Sequence, residues 1–104
     1  MSYRLIRTQR YDAEVTEIIQ YILIQSGDPD IAEGYYRKIQ EALRPLEDFP
    51  YSGTQPRYPW AIEMGFRMIP VQNHLIFYKV DEAEKCVIIY TIQDRRREYW
   101  KYIY

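Results

Sequence analysis

One cysteine and one histidine stand in a chain of 104 residues. A lone thiol excludes an internal disulfide and a cysteine metal cluster, so Cys86, within "KCVII", reads as a small hydrophobe on a strand. A lone imidazole argues against a histidine-led metal site. His74 follows a turn at the start of a strand, where a structural or surface role fits it. No apolar run approaches the roughly 18 residues of a membrane span, and the opening "MSYRLIRTQR" is too polar for a signal peptide. A cytoplasmic, reducing location and no membrane partner are the expectation. A P-loop, a dinucleotide fingerprint, an HExxH pair and a serine elbow are all missing, so neither cofactor nor metal is expected.

What is present is apolar and aromatic. Hydrophobic residues make up 47% of the chain and twelve are tyrosine, which argues for a packed domain with amphipathic surface to offer a partner. The length suits one domain over residues 1–104. Net charge is -1, so the whole molecule gives no sign of a polyanion partner. The charge is uneven, however. Residues 1–56 carry nine acids and six bases, residues 57–104 six acids and eight bases. Arg95, Arg96 and Arg97 are adjacent, and a local basic patch fits within a neutral protein.

"YRLIR" at residues 3–7 alternates as a short strand. Thr8 offers a hydroxyl N-cap, and Val15, Ile18, Ile19 and Ile22 then recur at helical spacing behind Asp12, Glu14 and Glu17, up to Gly27. A second helix has Asp28 as cap, Pro29 at its first position and a stripe of Ala32, Tyr35, Tyr36, Ile39, Leu43 and Leu46. Pro45 should kink or stop it. Two helices joined this closely form an antiparallel hairpin. Residues 49–60 hold Pro50, Gly53, Pro56 and Pro59 and predict an irregular loop. "EMGFRMIPV", "HLIFYKV" and "KCVIIYTIQ" then read as three strands of an antiparallel meander, and 95–104 as a short helix with Tyr99, Trp100 and Ile103 on one face.

The expected fold is therefore α+β. An N-terminal strand and a helical hairpin pack on a small, twisted, mainly antiparallel sheet that ends in a short C-terminal helix. One face of the sheet should stay partly open, and function is sought there.

Arginine supplies the candidate chemistry. Arg67 alternates against Phe66 and Met68, which directs it to the opposite face, where a guanidinium pairs with an acid or grips a phosphate. Arg57 and the run Arg95 to Arg97 could converge with it into one cationic site. On an RNA substrate, arginines would hold phosphate, Tyr58, Tyr90 or Tyr99 would stack on bases, and Asp94, Glu98 or Glu63 would move a proton. The plainer alternative has Asp94 capping the last helix, Arg96 and Arg97 in water and the terminal aromatics closing the core.

The helical hairpin, "LEDFPYSG" at its exit, the arginine of "GFRMI" and the closing "NHLIFYKVDEAEKCVIIYTIQDRRREY" together resemble the RelE/ParE superfamily of type II toxin-antitoxin systems, of the plasmid stabilisation type. The resemblance spans nearly the whole chain. It implies a bacterial toxin neutralised by a cognate antitoxin, as a homodimer or a toxin-antitoxin hetero-oligomer. One branch of the superfamily cleaves mRNA in the ribosomal decoding site; another poisons DNA gyrase and lacks the nuclease residues.

By that resemblance Arg67 matches the strand arginine that contacts the scissile phosphate, and Arg96 and Arg97 match the terminal arginine pair, with Glu98 where aspartate is usual. Asp94 stands where many members carry histidine or tyrosine, and Tyr99 is the substitute for that role. The catalytic set so implied is Arg67, Asp94, Arg96 and Tyr99, with Arg57, Tyr58, Arg95 and Arg97 binding substrate. The first expectation is an mRNA interferase, an endoribonuclease that acts on ribosome-bound mRNA. The alternatives are gyrase inhibition by protein binding and a non-toxic antitoxin-binding module.

Overall fold

The computed structural model describes residues 2–96. Strand β1 (Arg4–Arg7) leads into helix α1 (Gln9–Ser26), which the Thr8 side chain caps by accepting from the Tyr11 amide at 3.1 Å. Gly27 ends the helix at φ 67°, a left-handed conformation that suits a residue without Cβ, and its N–H bonds the Leu23 carbonyl. Helix α2 (Pro29–Leu43) starts as its sequence announces. The Asp28 carboxylate accepts from the Asp30 amide at 2.9 Å, and Pro29 occupies the first turn. Pro45 then tightens the chain into a single 3-10 turn, Arg44–Glu47.

The sheet has the order β1-β4-β3-β2, with β2 (Arg67–Val71), β3 (His74–Asp81) and β4 (Cys86–Asp94) antiparallel and β1 parallel to β4. Tyr11, Val15, Ile39, Leu43 and Leu46 from the helical side bury against Ile76, Tyr78, Val87 and Ile89 of the sheet. This is the main core.

The region from 49 to 66 departs from expectation. Within it, Pro59–Glu63 form a short helix, α3, and Thr54 pairs with Met68. Proline at the helix start has its φ already set, and Gly65 at φ 84° turns the chain out, so the strand expected from Glu63 begins only at Arg67. Ala61 and Phe66 cover Leu75 and Phe77 in a second core, with Tyr58, Trp60, Met68 and Tyr90 around it. Leu75 and Phe77 alternate with Ile76 and Tyr78, so this core lies on the face away from the hairpin. The face expected to be open is therefore partly roofed. The expected C-terminal helix lies outside the described residues.

Candidate functional site

Arg67 opens β2 opposite Tyr78. Its Nη2 donates to the carbonyls of Tyr51 and Gly53, each at 2.9 Å, and its guanidinium lies 5.6 Å from the Tyr51 ring centre. Nε is buried without a partner. Tyr78 is a main-core residue, so Arg67 sits at the edge of the helix-side core rather than on an open face. The loop it holds is tight: Gly53 donates its N–H to the Tyr78 hydroxyl at 2.9 Å, and a Cβ on Gly53 would meet that oxygen at 2.5 Å. Glycine is required there by contact. On the far side of Tyr51, its hydroxyl donates to Glu82, which also accepts from Tyr3 and Lys85. Those bonds, first that from Tyr51, lower the Glu82 carboxyl to about 2.

Asp94 ends β4 opposite His74. Its carboxylate accepts from the Arg96 amide at 2.9 Å, Nε at 3.0 Å and Nη2 at 2.8 Å. The Arg96 bonds hold Asp94 well below the ordinary carboxylate range, so it keeps its charge and is a poor proton donor. His74 Nδ1 lies 2.6 Å from the Tyr35 hydroxyl, and burial lowers the imidazole despite the opposing influence of Asp94. These groups share a cleft of about 470 Å³ with Glu17, Tyr21 and Ile18 of α1. In the sequence His74 has no visible partner, because Tyr35 is 39 positions away.

Arg95 does not converge with Arg67. Arg95 donates to the Gln72 carbonyl beside the β2–β3 turn, whereas Arg67 stands at the other end of β2, about 13 Å along the strand at 3.3 Å per residue. Tyr58 caps α3 and borders the second core, with Arg57 exposed just before it. Arg97 and Tyr99 lie outside the described residues. Among the described residues, no group of three or more His, Cys, Asp or Glu side chains is placed to hold a metal ion, and no helix is long and apolar enough to cross a membrane.

What sequence reading passed over is an apolar helical flank. Tyr21 and Ile24 of α1 are 65% and 76% exposed, and Ile31 at the start of α2 is 54% exposed. Tyr21 and Ile24, three apart, share one side of the helix. They interrupt the polar pattern of that side, which is the signal that would have found them.

Among solved structures, the chromosomal ParDE toxin-antitoxin system from P. aeruginosa matches with a TM-score of 0.73 at 20% identity, covering 89% of this chain and 96% of that one. The RelBE2 toxin-antitoxin complex from Mycobacterium tuberculosis matches at 0.61 and 17%, covering 91% of this chain and 100% of that one. The E. coli toxin RelE, as a double-arginine mutant in the free state, matches at 0.59 and 14%, covering 99% and 95%. These likenesses establish the RelE/ParE fold. A comparison with curated proteins finds no match. The sequence profile of a family described as the ParE toxin of the type II toxin-antitoxin system parDE matches residues 5–99. That match, with the ParDE likeness beside it, corrects the expectation of ribosome-dependent mRNA cleavage, which belongs to the other branch of the superfamily. Matched almost from end to end, the chain belongs to the ParE toxin family.

Proposed function

We propose that this protein is a growth-inhibiting toxin that acts by binding a target protein, DNA gyrase, and is held inactive by a cognate antitoxin. The observation that carries the reading is the match of residues 5–99 to the ParE toxin family. The geometry supports it. Asp94 is tied to Arg96 and ionised, and Arg67 holds two loop carbonyls. Neither is poised for proton transfer at a phosphodiester. The α1 flank, with Tyr21 and Ile24 in solvent, has the composition of a protein-contact surface, where large aromatic and aliphatic anchors contribute most of the affinity.

An antitoxin segment laid on the toxin would bury apolar groups and complement its charge. The P. aeruginosa and M. tuberculosis structures are of toxin-antitoxin systems, which supports such a partner here.

The test is a DNA supercoiling assay with purified gyrase and antitoxin-free protein. Inhibition is expected, and Tyr21→Ser with Ile24→Ser should weaken it by about tenfold or more, as loss of interface anchors does. Arg67→Ala, checked to be folded, should weaken it less. A dominant effect of Arg67→Ala with no effect at the flank would sink this version.

A further inference from the structure

Arg4, Arg7 and Arg44 line one surface cleft of about 490 Å³ with Leu5, Gln40 and Glu47. Among the described residues none of the three makes an ion pair or a side-chain hydrogen bond, although the acids outnumber the bases in this half of the chain. Neighbouring arginines repel one another, and an acid paired between them would relieve that repulsion. Glu47 lies in the cleft without pairing to any of them.

The backbone adds donors. Arg4 and Thr8 give their N–H groups to the carbonyls of Lys85, just before β4, and of Ile89 in β4, so the even-numbered peptides of β1 face the sheet. The N–H groups of Leu5 and Arg7 therefore turn to the free edge. Tyr3, of the same parity, already uses its outward N–H on the Glu47 carbonyl. Leu5 packs on the helix-side core, so Arg7 leaves β1 on that face and Arg4 on the opposite one. Arg44 approaches from the end of α2.

We propose that this cleft binds phosphate groups, an activity that goes beyond gyrase inhibition and does not depend on it. Guanidinium forks match phosphate oxygens bidentately and remain charged at every physiological pH. Two outward N–H groups supply further donors of the kind that hold phosphates. An acidic polypeptide offers single carboxylates on flexible side chains, whereas a phosphate presents several oxygens to the guanidinium forks at once, and competition by polyglutamate separates the two. The phosphate can come from a nucleic-acid backbone or from a free polyphosphate, and the chemistry recognised is the same.

The experiment measures binding of the full-length toxin to a short fluorescent DNA duplex by anisotropy across a salt series, with pyrophosphate as a second probe and polyglutamate as a competitor. Binding is expected, with a log–log salt slope near -2.7 for about three phosphate contacts on duplex DNA. Replacing Arg4, Arg7 and Arg44 together by alanine should weaken it by about tenfold or more. Arg44→Gln alone, on an exposed turn where folding is safe, should reduce the slope by about one. Arg37→Ala, which removes the exposed pair with Glu33, should change nothing.

Duplex binding would assign the cleft to a nucleic-acid backbone. Pyrophosphate binding without duplex binding would assign it to a free polyphosphate. Failure of both probes, retained affinity in the folded triple variant, or equal displacement by polyglutamate would overturn the proposal. The supercoiling assay is scored separately, so loss of one reading leaves the other standing.

Discussion

His74 shows how a single residue becomes legible only in three dimensions. In the sequence it has no neighbour that would set its chemistry; in the fold it sits between Tyr35 of α2, Asp94 and Arg96 at the end of β4, and Glu17 of α1. Burial lowers its pKa and Arg96 lowers it further, while Asp94 raises it. On acidification the unfolded chain therefore takes up the proton first, near the ordinary imidazole value of about 6.5. The neutral ring contributes stability that is full above that value and declines as pH falls toward the depressed folded value. Thermal melts at neutral pH and at mildly acidic pH should show this loss, and His74→Gln should flatten the dependence in that window. An unchanged slope in the variant would place the sensitivity elsewhere. Arg67 teaches the complementary lesson. Its alternation with Phe66 and Met68 was readable, but its partners are loop carbonyls, and a loop's path is not written in strand periodicity.

At the scale of elements, the boundaries that follow from local chemistry were readable. Thr8, Asp28, Pro29, Gly27 and Pro45 each act within a turn of where they stand, by capping, by fixing φ or by adopting it. Helix α3 was not readable, since Pro50, Pro56 and Pro59 looked alike in the sequence, yet only Pro59 precedes residues that a second core draws into a helix. The join between α1 and β4 is another tertiary device. β4 runs to Asp94 while its partner β1 stops opposite Ile89, leaving an unpaired edge. Glu14 fills it, accepting from the Thr91 hydroxyl at 2.6 Å, the Ile92 amide at 3.1 Å and the Gln93 amide group at 2.8 Å. Thr91 and Gln93 are buried. Glu14→Ala should therefore cost about 3 kcal/mol, because it strands several buried donors at once, and Glu14→Gln should cost less. Urea melts would measure both. A change at Glu14 no larger than an exposed helix substitution, within about 0.5 kcal/mol, would mean that water replaces the carboxylate.

Across the whole molecule, the hairpin covers one face of the sheet and α3 part of the other, which leaves the α1 flank and the β1 edge as separate surfaces. The cleft beside Tyr21 and the cleft of Arg4, Arg7 and Arg44 share no lining residue. Sites without shared partners act independently. Flank variants should therefore leave phosphate-probe binding within about twofold and cleft variants should leave gyrase inhibition within the same margin, with stability changes that add. Pairing the two sets of variants in one chain and measuring melting, supercoiling and anisotropy would check this; cross-effects would mean a single continuous surface. The sequence by itself determined the α+β layout, the helical hairpin, the three-strand meander and the RelE/ParE kinship, because periodicity, caps and turns act over a few residues. It also put the functional expectation in the wrong branch, which the ParE family match corrected, and the order of arginines along the chain did not say which of them would meet. Tertiary structure decided which groups meet: Arg67 with the 51–53 loop, Asp94 with Arg96 under His74, Glu14 with the open edge of β4, and Arg4 and Arg7 with Arg44. The physical reason is that a side chain's charge and its donors and acceptors come with its identity, whereas its partners are supplied by strand order and register, which bring distant positions to within a hydrogen bond.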